Sequence, residues 1–155
     1  MPWLAYPDIS KPFTLYTDAS DTCVGAVLVQ ENEEKTEEWI PGIPNEKPIY
    51  FLSHKLSDSQ IKSYSTSEKE AFAIHYALKK LHYYLHNATF TIKTDHQPLK
   101  YLFSAEQKNR RIQAWSLTIG SYNCNIEYIK GTENVCADLL SRSPPKDEDN
   151  GTYQT

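Results

Sequence analysis

FTLYTDASDTC, residues 13–23, and FTIKTDHQP, residues 90–98, share one arrangement: a strand-like run that stops on Thr-Asp just before the backbone turns. Phe13 to Thr17 are aromatic, branched and alternating, which suits a pleated, half-buried surface. Asp18 is then followed by small, turn-prone Ala19, Ser20 and Asp21. The same device returns about 75 residues later at Asp95. Two strands that each end on a carboxylate raise the expectation that both deliver an acid to one edge of a sheet.

Working outward, Gly25 to Gln30 reads as a second strand and Ile49 to Leu56 as a third, with a Glu-rich, proline-bounded connection over 31–47 between them. SYSTSEKE opens a helix, because Ser65 and Glu68 have capping-box spacing, and helical periodicity continues to about Asn87. Ala88 to Thr94 is a fourth strand, Pro98 suits the first turn of a short helix ending near Ser104, and Asn109 to Tyr122 is a helix with Ile112, Trp115, Ile119 and Tyr122 on one face. Asn125 to Ile129 is a fifth strand, Gly131 turns, and Asn134 to Arg142 is a last helix. Ser143-Pro144-Pro145 ends it, and 144–155 reads as a disordered linker.

The order predicts an α/β domain over 1–143: a mixed five-stranded sheet, its first three strands antiparallel and the rest parallel, flanked by helices. Strand one points up, two down and three up, the long helix returns downward, and strand four rises beside strand one through a right-handed crossover. Asp18, Asp95 and the start of the long helix then share one edge.

At 155 residues and 39% apolar content, the chain can bury one proper core. No apolar run approaches a membrane span, and the N-terminus lacks the regions of a signal peptide, so an intracellular protein with no membrane partner is expected. Cys23, Cys124 and Cys136 are an odd count without CxxC spacing and read as reduced thiols. The net charge of −4 is uneven: 31–38 contribute −4 and 146–149 contribute −2, which leaves the remainder at +2. The body is mildly basic, compatible with a polyanionic partner.

Helical phase separates the acids of the long helix. Ala73, Ile74, Ala77, Leu78, Leu81, Tyr84 and Leu85 form one stripe with Glu70 on its centre line, whereas Glu68 points aside and is explained as a cap. Asp138 falls early in the last helix. Each acid alone has a plain explanation: Asp18 and Asp95 as turn caps, Asp95 also as a helix-dipole partner, Glu70 as half of a salt bridge, Asp138 as an i,i+4 partner of Arg142. Jointly these do not explain four acids from four elements on one edge. Two carboxylates about 4 Å apart repel by roughly 4 kcal/mol at an effective dielectric of about 20, so the cluster calls for bound cations. All-oxygen ligation suits Mg²⁺ or Mn²⁺, and a pair of such ions is the device for phosphodiester hydrolysis.

Four blocks, residues 4–30, 49–81, 90–102 (FTIKTDHQPLKYL) and 126–142 (IEYIKGTENVCADLLSR), closely resemble the ribonuclease H domain of reverse transcriptases from Ty3/gypsy-type LTR retrotransposons. The resemblance implies the ribonuclease H-like fold, two Mg²⁺ ions for which Mn²⁺ can substitute, and cleavage of the RNA strand of RNA/DNA hybrids. It makes Asp18 the ligand bridging both ions, Asp138 a further ligand of the water-activating ion, and Glu70 and Asp95 ligands of the leaving-group ion. It also implies a reverse transcriptase polymerase domain in cis, joined through 1–12, and a cytoplasmic setting in a virus-like particle. Cellular enzymes of this fold carry a histidine in the loop before the last acidic helix. Gly131 to Asp138 contain none, as is general for gypsy-type relatives.

By the same likeness, Ser20, Thr66, Ser67, His96 and Gln97 flank the acids as substrate contacts, to ribose 2′-hydroxyls or minor-groove edges. Lys108, Arg110 and Arg111 are candidates for phosphate contact. His82 and His86 have i,i+4 spacing but no third ligand, and with His75 and Lys79 they read as a solvated helix face. Trp115 reads as core. Two other functions remain open: a tether module of the same fold with a decayed site, which four intact acids disfavour, and a transposase or integrase core, whose Glu comes last rather than second.

Overall fold

In the computed structural model, which describes residues 4–33, 38–40, 43, 45–104 and 109–142, one five-stranded sheet runs in the order β3-β2-β1-β4-β5. The strands are β1 (Phe13–Ala19), β2 (Cys23–Glu31), β3 (Glu46–Lys55), β4 (Thr89–Thr94) and β5 (Asn123–Tyr128). Helices α1 (Asp58–Ser63), α2 (Thr66–Lys80) and α3 (His82–Leu85) join β3 to β4. Helices α4 (Leu99–Ser104) and α5 (Arg110–Gly120) join β4 to β5, and α6 (Val135–Arg142) ends the described chain. Pairing is antiparallel in β1–β2 and β2–β3, and parallel in β1–β4 and β4–β5, as the up-and-down reading requires.

β1 lies at the centre because its alternation serves two layers. Phe13 and Leu15 face the main core, and Tyr16 faces away towards Val27, Val29 and Ile40. The main core forms where Leu15, Leu28, Phe90 and Ile92 meet Ile74, Ala77, Leu78, Leu81 and Leu85 of the long helical segment and Ile112 and Trp115 of α5. Each fully buried aliphatic side chain contributes roughly 1.5–3 kcal/mol. The predicted stripe is therefore the buried one, Trp115 is core, and Glu70 lies on the buried side of α2.

Three details differ from the sequence reading. The long helix does not run unbroken to Asn87: Leu81 leaves helical geometry at φ −101° and ψ 14°, and α3 is a separate turn. An unexpected α1 precedes it, capped by Ser57 and Gln60 in a complete capping box. The acidic connection is shorter than 31–47, because Glu31 pairs with Glu46 and Gln30 with Lys47, and the buried Ile40 bridges to Ile43.

Residues before β1 are fixed to the sheet. The amide of Gln30, 1% exposed, donates to the carbonyls of Asp8 and Lys11 and accepts the Asp8 N–H, while the Ala5 N–H donates to the Pro48 carbonyl. The expected linker 144–155, Lys108 and the middle of the acidic segment lie outside the described residues. Among the described residues no helix is long and apolar enough to cross a membrane.

Candidate metal centre and its flanks

The parallel register that sets Thr14 beside Thr91 and Tyr16 beside Lys93 carries Asp18 and Asp95 to the same end of the sheet. α2 begins at that end, and its second turn places Glu70 over them. Carboxylate oxygens of Asp18, Glu70 and Asp95 all lie within 4.8 Å of one another. Asp18 is 5% exposed and Glu70 6%. Burial, then the charges of Asp18 and Asp95, push Glu70 up to about 9, and burial followed by Asp95 pushes Asp18 up to about 7. Oε1 of Glu70 is buried and finds no hydrogen-bond partner among the described residues. Such an orphaned acceptor costs about 1–3 kcal/mol. An acceptor without a donor, in a set of oxygens from three elements, fits a hard divalent cation.

Asp138 approaches from α6 but is not part of this close trio. It is half-buried, adds to the field on Asp18, and its Oδ1 accepts Nε–H of Arg142 at 2.9 Å. The i,i+4 pair foreseen as the plain explanation is thus present, beside the convergence. α6 is held by long-range bonds: Ser20 Oγ donates to the Ser141 carbonyl at 2.6 Å, Ser53 Oγ to the Leu140 carbonyl at 2.7 Å, and Asn134 Nδ2 to the Thr17 carbonyl at 2.9 Å. Gly25 makes the approach possible, since a Cβ there would stand 2.6 Å from the Ala137 carbonyl oxygen. On the other side, a Cβ on Gly131 would meet Asp95 Oδ2 at 3.2 Å, so the turn before α6 forms one wall of the centre.

Of the expected substrate contacts, Ser67 and His96 are joined, Oγ to Nε2 at 2.9 Å, which ties the start of α2 to the loop carrying Asp95. Burial lowers the His96 pKa against the opposing pull of Asp95. Thr66 and Gln97 are exposed. Ser20 is engaged with α6, as above. Arg110 is exposed at the start of α5, whereas Arg111 turns onto Glu68, Nη1 to Oε2 at 3.0 Å, and stacks over Tyr64 at 4.7 Å. Glu68 also completes the expected capping box with Ser65. A pocket of about 270 Å³ beside the acids is lined by Ala19, Ser20, Asp21, Thr66, Lys69, Glu70 and Arg142. Lys69 Nζ reaches the Asp21 carbonyl at 2.8 Å, a contact without a signal in the sequence.

Among the described residues, the histidines of the long helical segment join no metal-ligand group. His82 and His86 stack at 4.9 Å, and Nδ1 of His82 bonds the Tyr122 hydroxyl at 2.6 Å. His75 departs from the expected solvated face: it is half-buried with Phe72 and Trp115, and burial lowers its pKa.

Residues 8–122 match the family described as RNase H-like domain found in reverse transcriptase. The chain is 39% identical over 144 residues to the retrovirus-related Pol polyprotein from transposon opus of Drosophila melanogaster, covering 92% of this chain and 13% of that polyprotein. It is 38% identical over 145 residues to the transposon Tf2-3 polyprotein of Schizosaccharomyces pombe, covering 91% of this chain and 10% of that one. Among solved structures, RNase H1 from the halophilic archaeon Halobacterium salinarum superposes with a TM-score of 0.58 at 11% identity, over 83% of this chain and 93% of that one. The foamy viral protease-reverse transcriptase in complex with RNA/DNA hybrid gives 0.61 at 18%, over 92% of this chain and 18% of that one. At such identities the two structures speak for the fold.

Proposed function

Since the chain belongs to the RNase H-like domains found in reverse transcriptases, we propose that it is a metal-dependent endoribonuclease that cleaves the RNA strand of RNA/DNA hybrids during reverse transcription of an LTR retrotransposon. The observation that carries the reading is the buried trio of Asp18, Glu70 and Asp95 with the orphaned Glu70 Oε1.

Asp18, Glu70 and Asp95 would hold divalent ions, with Asp138 as the outer ligand. Two Mg²⁺ ions bound there, or Mn²⁺ in their place, would activate a water and stabilise the leaving oxygen of the phosphodiester. The protein's own part is to assemble carboxylates that repel one another and keep them in place. Burial beneath α2 and the Gly131 turn fixes their directions before any ligand arrives. Thr66, Ser67, His96 and Gln97, which flank the acids, would contact ribose 2′-hydroxyls and so select the RNA strand. Arg110 supplies a phosphate contact at the start of α5. The polymerase portion of a reverse transcriptase in cis would hold the remainder of the hybrid, inside a cytoplasmic virus-like particle.

The test is cleavage of labelled RNA/DNA, RNA/RNA and DNA/DNA duplexes by the 155-residue chain with Mg²⁺, with Mn²⁺ and with excess chelator. Metal-dependent scission of RNA in the hybrid alone is expected. Equal cutting of double-stranded DNA, or full activity in chelator, would sink the proposal.

A further inference from the structure

Asp138 lies outside the close trio yet interacts through its side chain with Asp18, and the Nε–H of Arg142, one helical turn on, holds its Oδ1 at 2.9 Å. Asp18 adds to the attraction on the guanidinium. The acidic centre thus has a positive charge of its own chain tied to its outer rim. The tie is loose, since the Arg142 side chain is 69% exposed and that of Asp138 40%, and exposed ion pairs of this kind are weak and readily broken.

We propose that Arg142 is an intramolecular competitor for the metal: it neutralises Asp138 while the centre lacks a cation, and leaves that carboxylate when a divalent ion takes it. The proposal rests on the reading of the acids as metal ligands. A doubly charged ion and a guanidinium on one small carboxylate repel at close range, so the two occupancies exclude each other in proportion to their affinities. The displaced guanidinium remains on the wall of the pocket it shares with Ser20, Thr66, Lys69 and Glu70. There it becomes a donor for a phosphate oxygen, for which an arginine fork is suited. Arg142 is on this account a positioning residue that orders events, with metal before substrate phosphate. The plain alternative is a surface helix pair that only steadies α6. That alternative leaves metal affinity untouched.

The experiment is calorimetric titration of Mg²⁺, without substrate, into the 155-residue wild type and into Arg142→Gln, Asp138→Asn and the double variant. Arg142→Gln is expected to bind Mg²⁺ about two- to fivefold more tightly, the range set by exposed ion pairs. The gain disappears in the Asp138→Asn background. In the wild type the Arg142 Nε–H resonance should move in step with the titration. Unchanged or weaker binding by Arg142→Gln overturns the proposal, as does a gain that survives Asp138→Asn, which would mark a long-range charge effect instead of competition. A wild type that takes up no Mg²⁺ overturns the ligand reading and the competition together, whereas a wild type that binds beside an unchanged Arg142→Gln overturns the competition alone.

Discussion

Gly25 lies directly opposite Asp18 in the β1–β2 ladder, and the backbone of α6 crosses it closely enough that a Cβ would meet Ala137 O at 2.6 Å and Ser141 N at 2.7 Å. The residue that faces the central acid is thus the one that lets the helix bearing Asp138 come near. Gly25→Ala should push α6 outward, with an overpacking cost of about 1–3 kcal/mol and a melting point lower by several degrees. Mg²⁺ affinity should fall with it. Gly120→Ala is the control: a Cβ there meets nothing within 4 Å, and the melting point should hold or rise slightly. Thermal melts and metal titrations of both variants check the difference.

Glu70 and Glu68 should behave in opposite ways. Glu70→Gln abolishes cleavage yet leaves the metal-free fold as stable or more so, because burial and the charges of Asp18 and Asp95 oblige Glu70 to take up a proton on folding, a cost that a neutral amide of the same shape escapes. Glu68→Ala retains cleavage but loses the capping box and the Arg111 pair, at a cost of about 1 kcal/mol given the exposure of the arginine. Single-turnover assays and urea midpoints measure the two. An inactive Glu68→Ala beside an active Glu70→Gln would reverse the assignment.

The metal-free protein should lose stability as pH rises. Asp18 and Glu70 are held up near 7 and 9, so between their ordinary values around 4 and those folded values the native state keeps protons that the unfolded chain has released. The slope is negative, up to about 1.4 kcal/mol per pH unit for each carboxyl. Urea midpoints in chelator from pH 5 to 9 should decline, and the decline should shrink in Asp18→Asn and Glu70→Gln. Metal affinity runs the other way and rises with pH, since binding expels those protons.

Ser67→Ala should loosen the loop that carries Asp95 by removing the partner of His96 Nε2. Loss of about 1 kcal/mol of positioning corresponds to roughly fivefold weaker metal binding, and Ser67→Thr, which keeps a hydroxyl, should recover most of it. Metal titration of the two variants decides whether the bond positions the acid or merely decorates the surface.

Much of this centre could be read from local patterns. Asp18 and Asp95 each end a strand, and Glu70 follows from a stripe that the periodicity of residues 70–85 defines. Even the Asp138–Arg142 pair was legible, because i,i+4 geometry is local. The α1 cap Ser57-Asp-Ser-Gln60 is equally local and was missed because the helix it opens is only six residues long, lodged between a strand and a longer helix. What could not be read is tertiary. Arg111 reaches Glu68 across 43 residues, a pairing of an exposed arginine with the helix cap that no local pattern announces. The steric roles of Gly25 and Gly131 exist only once α6 and the turn before it have docked.

The bonds that hold α6 span 121 residues from Ser20 and 87 from Ser53. They set an order of birth. A chain emerging from the ribosome can pair β1 with β2 and lay α2 over them while Ser20 and Ser53 still lack the carbonyls they will bind. Asp138 arrives only when the segment through Arg142 has cleared the exit tunnel. A nascent polypeptide therefore carries Asp18, Glu70 and Asp95 for some time without their outer partner, and the four-acid edge is completed only when α6 docks.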